Sequence, residues 1–587
     1  AHERLSKRLA LAVFSSDALS SVAYATEEIL LVLTLAGAVM VSYSIPLSLS
    51  IIGLLVILTM SYRQIIFEYP EGGGAYIVGK SNLGEWPGLV AAAALMIDYV
   101  LTVAVSVAAG MAALTSAVPA LLPHREALCV AAILLVTVVN LRGVRESGQI
   151  FAVPTYIFIA TIAAMLGVGA VQILFGHAVR VEPLPSMAPA EPLTLFLLLR
   201  AFSSGCTALT GVEVISNGVS AFKKPEPKNA AFTMIGMAAI LGAMFIGISA
   251  MAYYFGIVPK EDETVVSQIA RATFGTGPLY FLVQASTMVI LILAANSSFN
   301  GFPRLASILA RDSYMPHQMS MMGDRLVFSN GVIILGVFSC LLIVLFNGDT
   351  HALIPLYAVG VFLSFTISQA GMVKRWLVKK GPHWEKKLLV NGIGAVTTAI
   401  ATLIIASTKF AHGAWIVIVL IPLLITFFRA IRSHYKAVSE QVALSRGHRP
   451  PMPRRNIVVL PIGGVNRAVI RAVDYARSRS GDIRAVLVDV DPEETARVEI
   501  QWAQWGCGVP LTVLPSPYRS VLSSLLDYLE QVLQKDQECW VTVVIPEILP
   551  ARWWQNILHN QRAFMLKGAL LFKDRVILTD VPYHLTR

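Results

Sequence analysis

Asp17, Asp98 and Glu213 each stand inside a long apolar stretch of this 587-residue chain. A carboxylate at the centre of a membrane span costs on the order of 2.5–3.5 kcal/mol on insertion scales, so an acid there needs a reason. Asp98, Thr102 and Ser106 are spaced i, i+4, i+8 and share one helix face. That face offers a carboxylate and two hydroxyls to one column of space. Thr210 and Glu213 are i, i+3, and Tyr24 follows Asp17 by seven residues, two turns of a helix. All are hard oxygen donors, which suit alkali and alkaline-earth cations and not soft metals. Glu27 and Glu28 lie nearer the expected water boundary and carry less weight. Any one acid could simply accept hydrogen bonds from unwound backbone. Three acids around the same helices point instead to handling of a cation or a proton. No His stands among them, and the membrane part has no HExxH, Walker loop or Ser/His/Asp pattern, so no enzyme is expected.

These donors need helices to position them. A membrane span takes about 20 mostly apolar residues. Twelve such stretches are centred near residues 22, 56, 104, 137, 164, 206, 244, 289, 338, 363, 398 and 421. The composition agrees: charged residues are 14% of the chain, against roughly 25% in ordinary soluble domains. That excludes a soluble enzyme, a disordered scaffold and a small secreted module. The five cysteines have no ligand spacing, so neither a zinc site nor a disulfide framework is expected. The chain opens at Ala1 without Met and reads as a trimmed form.

Loop charge sets the expected orientation. Arg4, Lys7, Arg8, the KKPEPK loop from Lys223 to Lys228 and the cluster from Lys374 to Lys387 fall on one side. The other side holds Arg125, Arg180, Lys260, Arg271 and Lys409. The asymmetry predicts both termini in the cytoplasm. It also accounts for most of the net charge of +10, so no nucleic-acid partner is expected.

Span 1 contains SSDALSS (Ser15 to Ser21) and span 6 contains SSGCTALTG (Ser203 to Gly211). Two polar, small-residue patches five spans apart mark an inverted-repeat transporter with discontinuous helices at the midplane. Close helix packing through small residues is the plainer alternative. Between spans 2 and 3, EYPEGGGAYIVGKSNLGEWPG (Glu68 to Gly88) carries Pro70 and three consecutive glycines, and reads as a tight or re-entrant turn.

Residues 454–587 differ. The runs NIVVLPI, IRAVLVDV, PLTVLP, WVTVVIP and VILTDV read as buried parallel strands. Stretches 466–479, 492–504, 518–535 and 552–567 read as helices, giving an open α/β sheet. The loop PIGGVNR lacks GxGxxG, so dinucleotide binding by that route is not supported. Arg467 and Arg519, near expected strand ends, are candidate anion contacts against a default of solvated surface. RGHRPPMPRR (Arg446 to Arg455) reads as a linker able to touch anionic lipid.

The strings SSDALSSVAYATEEIL, SYRQIIFEYPEGGGAYIVGKSNLGE, IDYVLTVAVS, SSGCTALTGVEVISN, DETVVSQIA and LIPLYAVGVF resemble the KUP group of potassium–proton symporters, within the amino-acid–polyamine–cation superfamily. The resemblance runs from about Leu5 to the tail motifs SPYRS, ILHNQ and PYH. It implies a LeuT-like five-plus-five inverted repeat with two further spans. It implies potassium ligands at Asp17, Tyr24, Asp98, Thr102, Ser106, Thr210 and Tyr357, with proton coupling at Glu213 and Asp17. Of these, Asp17, Asp98, Thr102 and Ser106 would hold the ion most directly. Tyr357 comes from the resemblance alone, since a tyrosine after Pro355 passes as a packing aromatic. The tail resembles a universal-stress-protein-like domain, implying a homodimer through the tail and inhibition by cyclic di-AMP.

The expected organisation is a twelve-span transporter domain at 1–435, a linker at 436–453 and a cytoplasmic regulatory and dimerisation domain at 454–587. The chain would sit in the cell membrane, use no cofactor and import potassium with protons. One rival is a proton-coupled amino-acid permease of the same fold. It suits a free helix end better than Asp17, which repels a substrate carboxylate. The other is a non-transporting receptor with the tail as nucleotide sensor, which has no need of three intramembrane acids.

Overall fold

The computed structural model describes residues 4–72, 74–142, 148–175, 190–322, 328–443, 455–516, 520–550 and 562–585. Most of the 446–455 strip, Arg180, Arg519, SPYRS in part and the ILHNQ segment lie outside the described residues. The chain divides into two compact units, Ala1–Val442 and Ala443–Arg587.

The first unit is helical. Among the described residues, eleven helical stretches are long and apolar enough to cross a membrane. They are span 1 (Lys7–Ala36), span 2 (Ala38–Glu68), span 3 (Glu85–Ala117), span 4 (Pro119–Leu141), span 5 (Phe151–Leu174) and span 6 (Leu195–Asn217). Span 7 (Glu226–Phe255), span 8 (Pro278–Arg311), span 10 (Thr350–Lys379), span 11 (Trp384–His412) and span 12 (Ala414–Val442) complete them. The stretch expected near residue 338 forms a shorter apolar helix, Ser329–Leu345, here span 9. Its 17 residues reach about 26 Å at 1.5 Å per residue, close to the thickness of a bilayer core. Span 12 continues as helix through residues 436–442.

Packing follows an n, n+5 rule. Span 1 packs on span 6, span 2 on span 7, span 3 on span 8 and span 4 on span 9. Four of the five pairs of two five-span halves, spans 1–5 and 6–10, thus meet, and spans 11 and 12 follow the repeat. Spans 3 and 8 pack most extensively. The run Ala91–Ala94 on span 3 is fully buried. Its lack of bulk lets spans meet backbone to backbone, as membrane helices do in place of a hydrophobic drive.

The two patches differ in how far they break. Span 1 stays helical from Lys7 to Ser20, turns at Ser21 and resumes at Val22. Ser21 keeps right-handed helical dihedrals. Its hydroxyl donates to the Ala18 carbonyl at 2.6 Å. Span 6 breaks fully: helix Leu195–Gly205, a 3-10 turn Cys206–Leu209, extended Thr210, Gly211 at φ +77° and a last turn Val214–Asn217. The SSDALSS patch has no glycine to take a positive φ, whereas span 6 has Gly211 at that point.

The second unit holds a five-stranded, all-parallel sheet in the order β3-β2-β1-β4-β5. The strands are β1 (Arg455–Ile462), β2 (Asp482–Asp489), β3 (Leu511–Pro515), β4 (Cys539–Leu549) and β5 (Val576–His584). Helices Arg467–Arg477, Pro492–Trp505, Val521–Lys535 and Arg562–Leu570 connect them. Two apolar clusters form, one around Val458 and Leu460, the other around Val459 and Val543. Alternate residues of one strand serve different clusters, so the sheet is buried on both faces, as parallel sheets require. The strand order reverses beside β1, which places the PIGGVNR loop at the crevice between the ends of β1 and β4.

Candidate ion site

All eight expected residues are buried: Asp17, Tyr24, Asp98, Thr102, Ser106, Thr210, Glu213 and Tyr357 are each no more than 6% exposed. Spans 1, 3, 6 and 10 position them. The Thr102 hydroxyl donates to the Tyr357 hydroxyl at 3.0 Å, tying span 3 to span 10 across 255 positions of sequence. The Tyr24 hydroxyl is set beside that of Thr210. The Thr210 hydroxyl also donates to the Thr207 carbonyl at 2.9 Å, inside the broken stretch. Ser21 reaches across from span 1 to the Ala208 carbonyl at 3.1 Å.

Asp17 rests on the break in span 6. A Cβ placed on Gly211 would stand 2.8 Å from Asp17 Cγ and 2.9 Å from the Ala18 nitrogen. The positive φ at Gly211 and its missing side chain therefore both serve the approach of this carboxylate. Asp98 lies within electrostatic reach of Glu213 and Asp17, and Tyr357 within reach of Asp17 and Asp98. Seven of the eight thus form one polar cluster. Ser106 is buried one turn along from Thr102, on the same face. No hydrogen bond joins it to the cluster among the described residues.

Two fully buried carboxylate oxygens have no donor among the described residues: Asp98 Oδ1 and Glu213 Oε2. Buried acceptors without a donor are strongly disfavoured, and far more so when charged. A bound cation or a proton on the carboxyl satisfies them. Among the described residues, no group of three or more His, Cys, Asp and Glu is close enough to hold a metal ion. Among the described residues the acids of the cluster thus stand among hydroxyls and are not gathered into a carboxylate cage.

Several residues were missed. Gly211 was visible as the glycine of TALTG, but its role depends on Asp17, 194 positions away. Glu27 and Glu28, given little weight, are both buried. The Glu28 carboxylate lies 2.6 Å from His351 Nδ1, and Glu27 lies 3.7 Å from the other ring nitrogen. Glu27 also accepts the Val265 amide at 3.2 Å. At the opposite end of span 10, Glu68 of span 2 pairs with Arg375 and Lys379, each at 2.7 Å. There the glycine loop seats on the end of span 6: a Cβ at Gly72 would meet the Asn217 carbonyl at 2.8 Å. Gly72 and Gly74 are thus part of a packed contact, not a free turn.

Residues 6–428 match the family described as amino acid permease, and residues 454–583 match the KimA potassium transporter C-terminal domain. The potassium transporter KimA of Bacillus subtilis (strain 168) is 45% identical over 585 residues, which is 99% of this chain and 96% of that protein. The chain belongs to the KimA family. The permease match over the membrane unit carries the five-plus-five, LeuT-like fold, and the n, n+5 packing agrees with it. With its long apolar helices, the chain is a multi-pass membrane protein. Two solved transporters also align, each 14% identical. The Eremococcus coleocola manganese transporter covers 74% of this chain and 94% of its own, with a TM-score of 0.36. A Na+-coupled sialic acid symporter covers 69% and 90%, with a TM-score of 0.42.

Proposed function

We propose that this chain imports potassium together with protons across the cell membrane, with both termini in the cytoplasm. The observation that carries the reading is the pair of donor-less oxygens, Asp98 Oδ1 and Glu213 Oε2, enclosed with the hydroxyls of Tyr24, Thr102, Thr210 and Tyr357. The name of the Bacillus subtilis relative supports potassium as the ion. Potassium loses its water to oxygens of Asp17, Asp98, Thr102 and Ser106, with Tyr24, Thr210 and Tyr357 completing the shell. Freed carbonyls in the span 6 break add ligands. Carboxylate charge offsets the dehydration of the ion. The proton travels on Glu213, which lies within electrostatic reach of both Asp17 and Asp98. Potassium near a carboxylate favours its charged form, and removal of potassium favours protonation, so occupancy by the two cations is coupled. The membrane potential adds about 2.3 kcal/mol per charge per 100 mV, so both cations are driven inward. The tail pairs two copies of the chain and binds cyclic di-AMP as an inhibitor. The crevice beside β1 and β4 suits a ligand, following the general rule for open α/β sheets.

The test is potassium uptake into proteoliposomes with and without an inward proton gradient. Gradient-driven accumulation, lost in Asp17→Asn and stripped of its pH dependence in Glu213→Gln, is the expected result. Absence of potassium flux with competition among amino acids would replace this reading with the permease one. Nucleotide binding without any flux would replace it with the receptor one.

A further inference from the structure

Between spans 2, 10 and 11 lies a polar layer of two kinds. One kind is fully paired. The Ser61 hydroxyl donates to Asn391 Oδ1 at 2.5 Å, and Asn391 Nδ2 donates to Gln64 Oε1 at 2.5 Å and to the Lys387 carbonyl at 3.0 Å. Such bonds hold membrane helices together. The other kind makes no well-formed hydrogen bond among the described residues: the hydroxyls of Tyr62 and Ser368, which face each other, that of Ser364, both amide atoms of Gln369 and the indole N–H of Trp376. All five side chains are at most 1% exposed. Packing glue explains the first kind and not the second. Buried polar groups without partners call for water or an ion, and a water needs two to four polar partners, which this set supplies.

The placement is directional. Tyr62 lies within electrostatic reach of Glu213, and its ring stands edge-on to Phe365 with centroids 5.7 Å apart. Its hydroxyl faces Ser368. Ser364 and Ser368 are i, i+4 on one face of span 10, and Trp376 lies about two turns further along, rotated partly around the helix. Trp376 is three residues from Lys379, where the helix ends. We propose that these side chains line a hydrated path along which the proton leaves Glu213 for the end of span 10, apart from the potassium column on span 3. The proposal rests on the proton-coupled reading above. In each step a hydroxyl or water accepts one proton on a lone pair and releases its own onward, so no group ends charged. Trp376, a donor only, orients the last water.

The experiment uses the full-length protein in proteoliposomes with a pH dye trapped inside, following lumen acidification driven by potassium uptake. Tyr62→Phe keeps the ring and removes the hydroxyl, and Ser368→Ala is a smaller second change. Both should slow acidification at least tenfold while the KM for potassium stays at the wild-type value. Asn391→Ala, in the paired layer, should lower thermal stability and keep the ratio of protons to potassium. Wild-type acidification in both hydroxyl variants would overturn the path. A raised KM with the proton ratio intact would overturn it too, placing the hydroxyls on the potassium route. If the wild-type protein takes up potassium without acidification, the coupled reading itself falls, and the path with it.

Discussion

Gly211→Ala is the sharpest test of how the site is built. Glycine at φ +77° sits where an L-residue costs roughly 1–2 kcal/mol. The added methyl would also lie 2.8–2.9 Å from Asp17 Cγ, Asp17 Oδ2 and the Ala18 nitrogen. Two of those atoms belong to the carboxylate and the third is backbone, so relief requires moving the acid or opening the helix pair. Overpacking of this kind costs about 1–3 kcal/mol. Together the two effects come to about 2–5 kcal/mol, and at 1.4 kcal/mol per tenfold the smaller figure already exceeds about 25-fold in affinity. The expected outcome is a rise of at least that factor in the KM for potassium, or loss of uptake, with normal insertion in the membrane. Gly205→Ala is the control. Its Cβ would be just as crowded, but by the side-chain ends of Ile29 and Ile51 and at an ordinary φ of −68°. That variant should lose thermal stability, recover it with Ile29→Val, and keep the wild-type KM. Uptake by Gly211→Ala at wild-type KM and rate would refute the claim that the glycine seats Asp17.

Two further outcomes follow. Thr102→Val and Tyr357→Phe each leave one hydroxyl of a 3.0 Å buried pair without its partner, at about 1–3 kcal/mol each. The double variant should cost less than their sum in a thermal melt, and strict additivity would show that the two hydroxyls do not interact. In the tail, Asp482 accepts from Arg484 at 3.1 Å and from Arg455 at 2.6 Å. Hydrogen bonding from Arg484 and then the two guanidinium charges hold its carboxyl below the ordinary 3.8. A depressed carboxyl stabilises the fold above the unfolded value and loses that contribution as the pH falls through the folded one. The side chain is 22% exposed and its partner Arg455 57%, so with solvent screening Asp482→Asn should cost about 1 kcal/mol or less at neutral pH. It should also flatten the acid limb of tail unfolding followed by tryptophan fluorescence; an unchanged acid limb would refute the pairing.

Much of this molecule was legible along the chain. Each of the twelve apolar stretches became a helix, including the short span 9, because burial in a bilayer demands that every backbone group be satisfied within its own segment. The span 3 column of Asp98, Thr102 and Ser106 could be read from spacing alone, since one helix fixes which side chains share a face. The five strands of the tail fell where the apolar runs lie, with Pro492–Trp505 starting on the expected Pro492.

What sequence left open was every contact between distant segments. Spacing put breaks in spans 1 and 6 alike, yet span 1 only turns at Ser21 while span 6 opens at Gly211. Tyr357 became a site residue because span 10 brings its hydroxyl to Thr102. Glu28 and His351 pair across 323 positions. Tyr62, Ser368 and Trp376 read as ordinary helix residues until three helices enclosed them without well-formed hydrogen bonds. A helix repeat of 3.6 residues fixes only the neighbours within a few turns. Which faces then meet depends on the packing of whole helices, and that packing decides which polar atoms find partners and which are left for an ion, a proton or water.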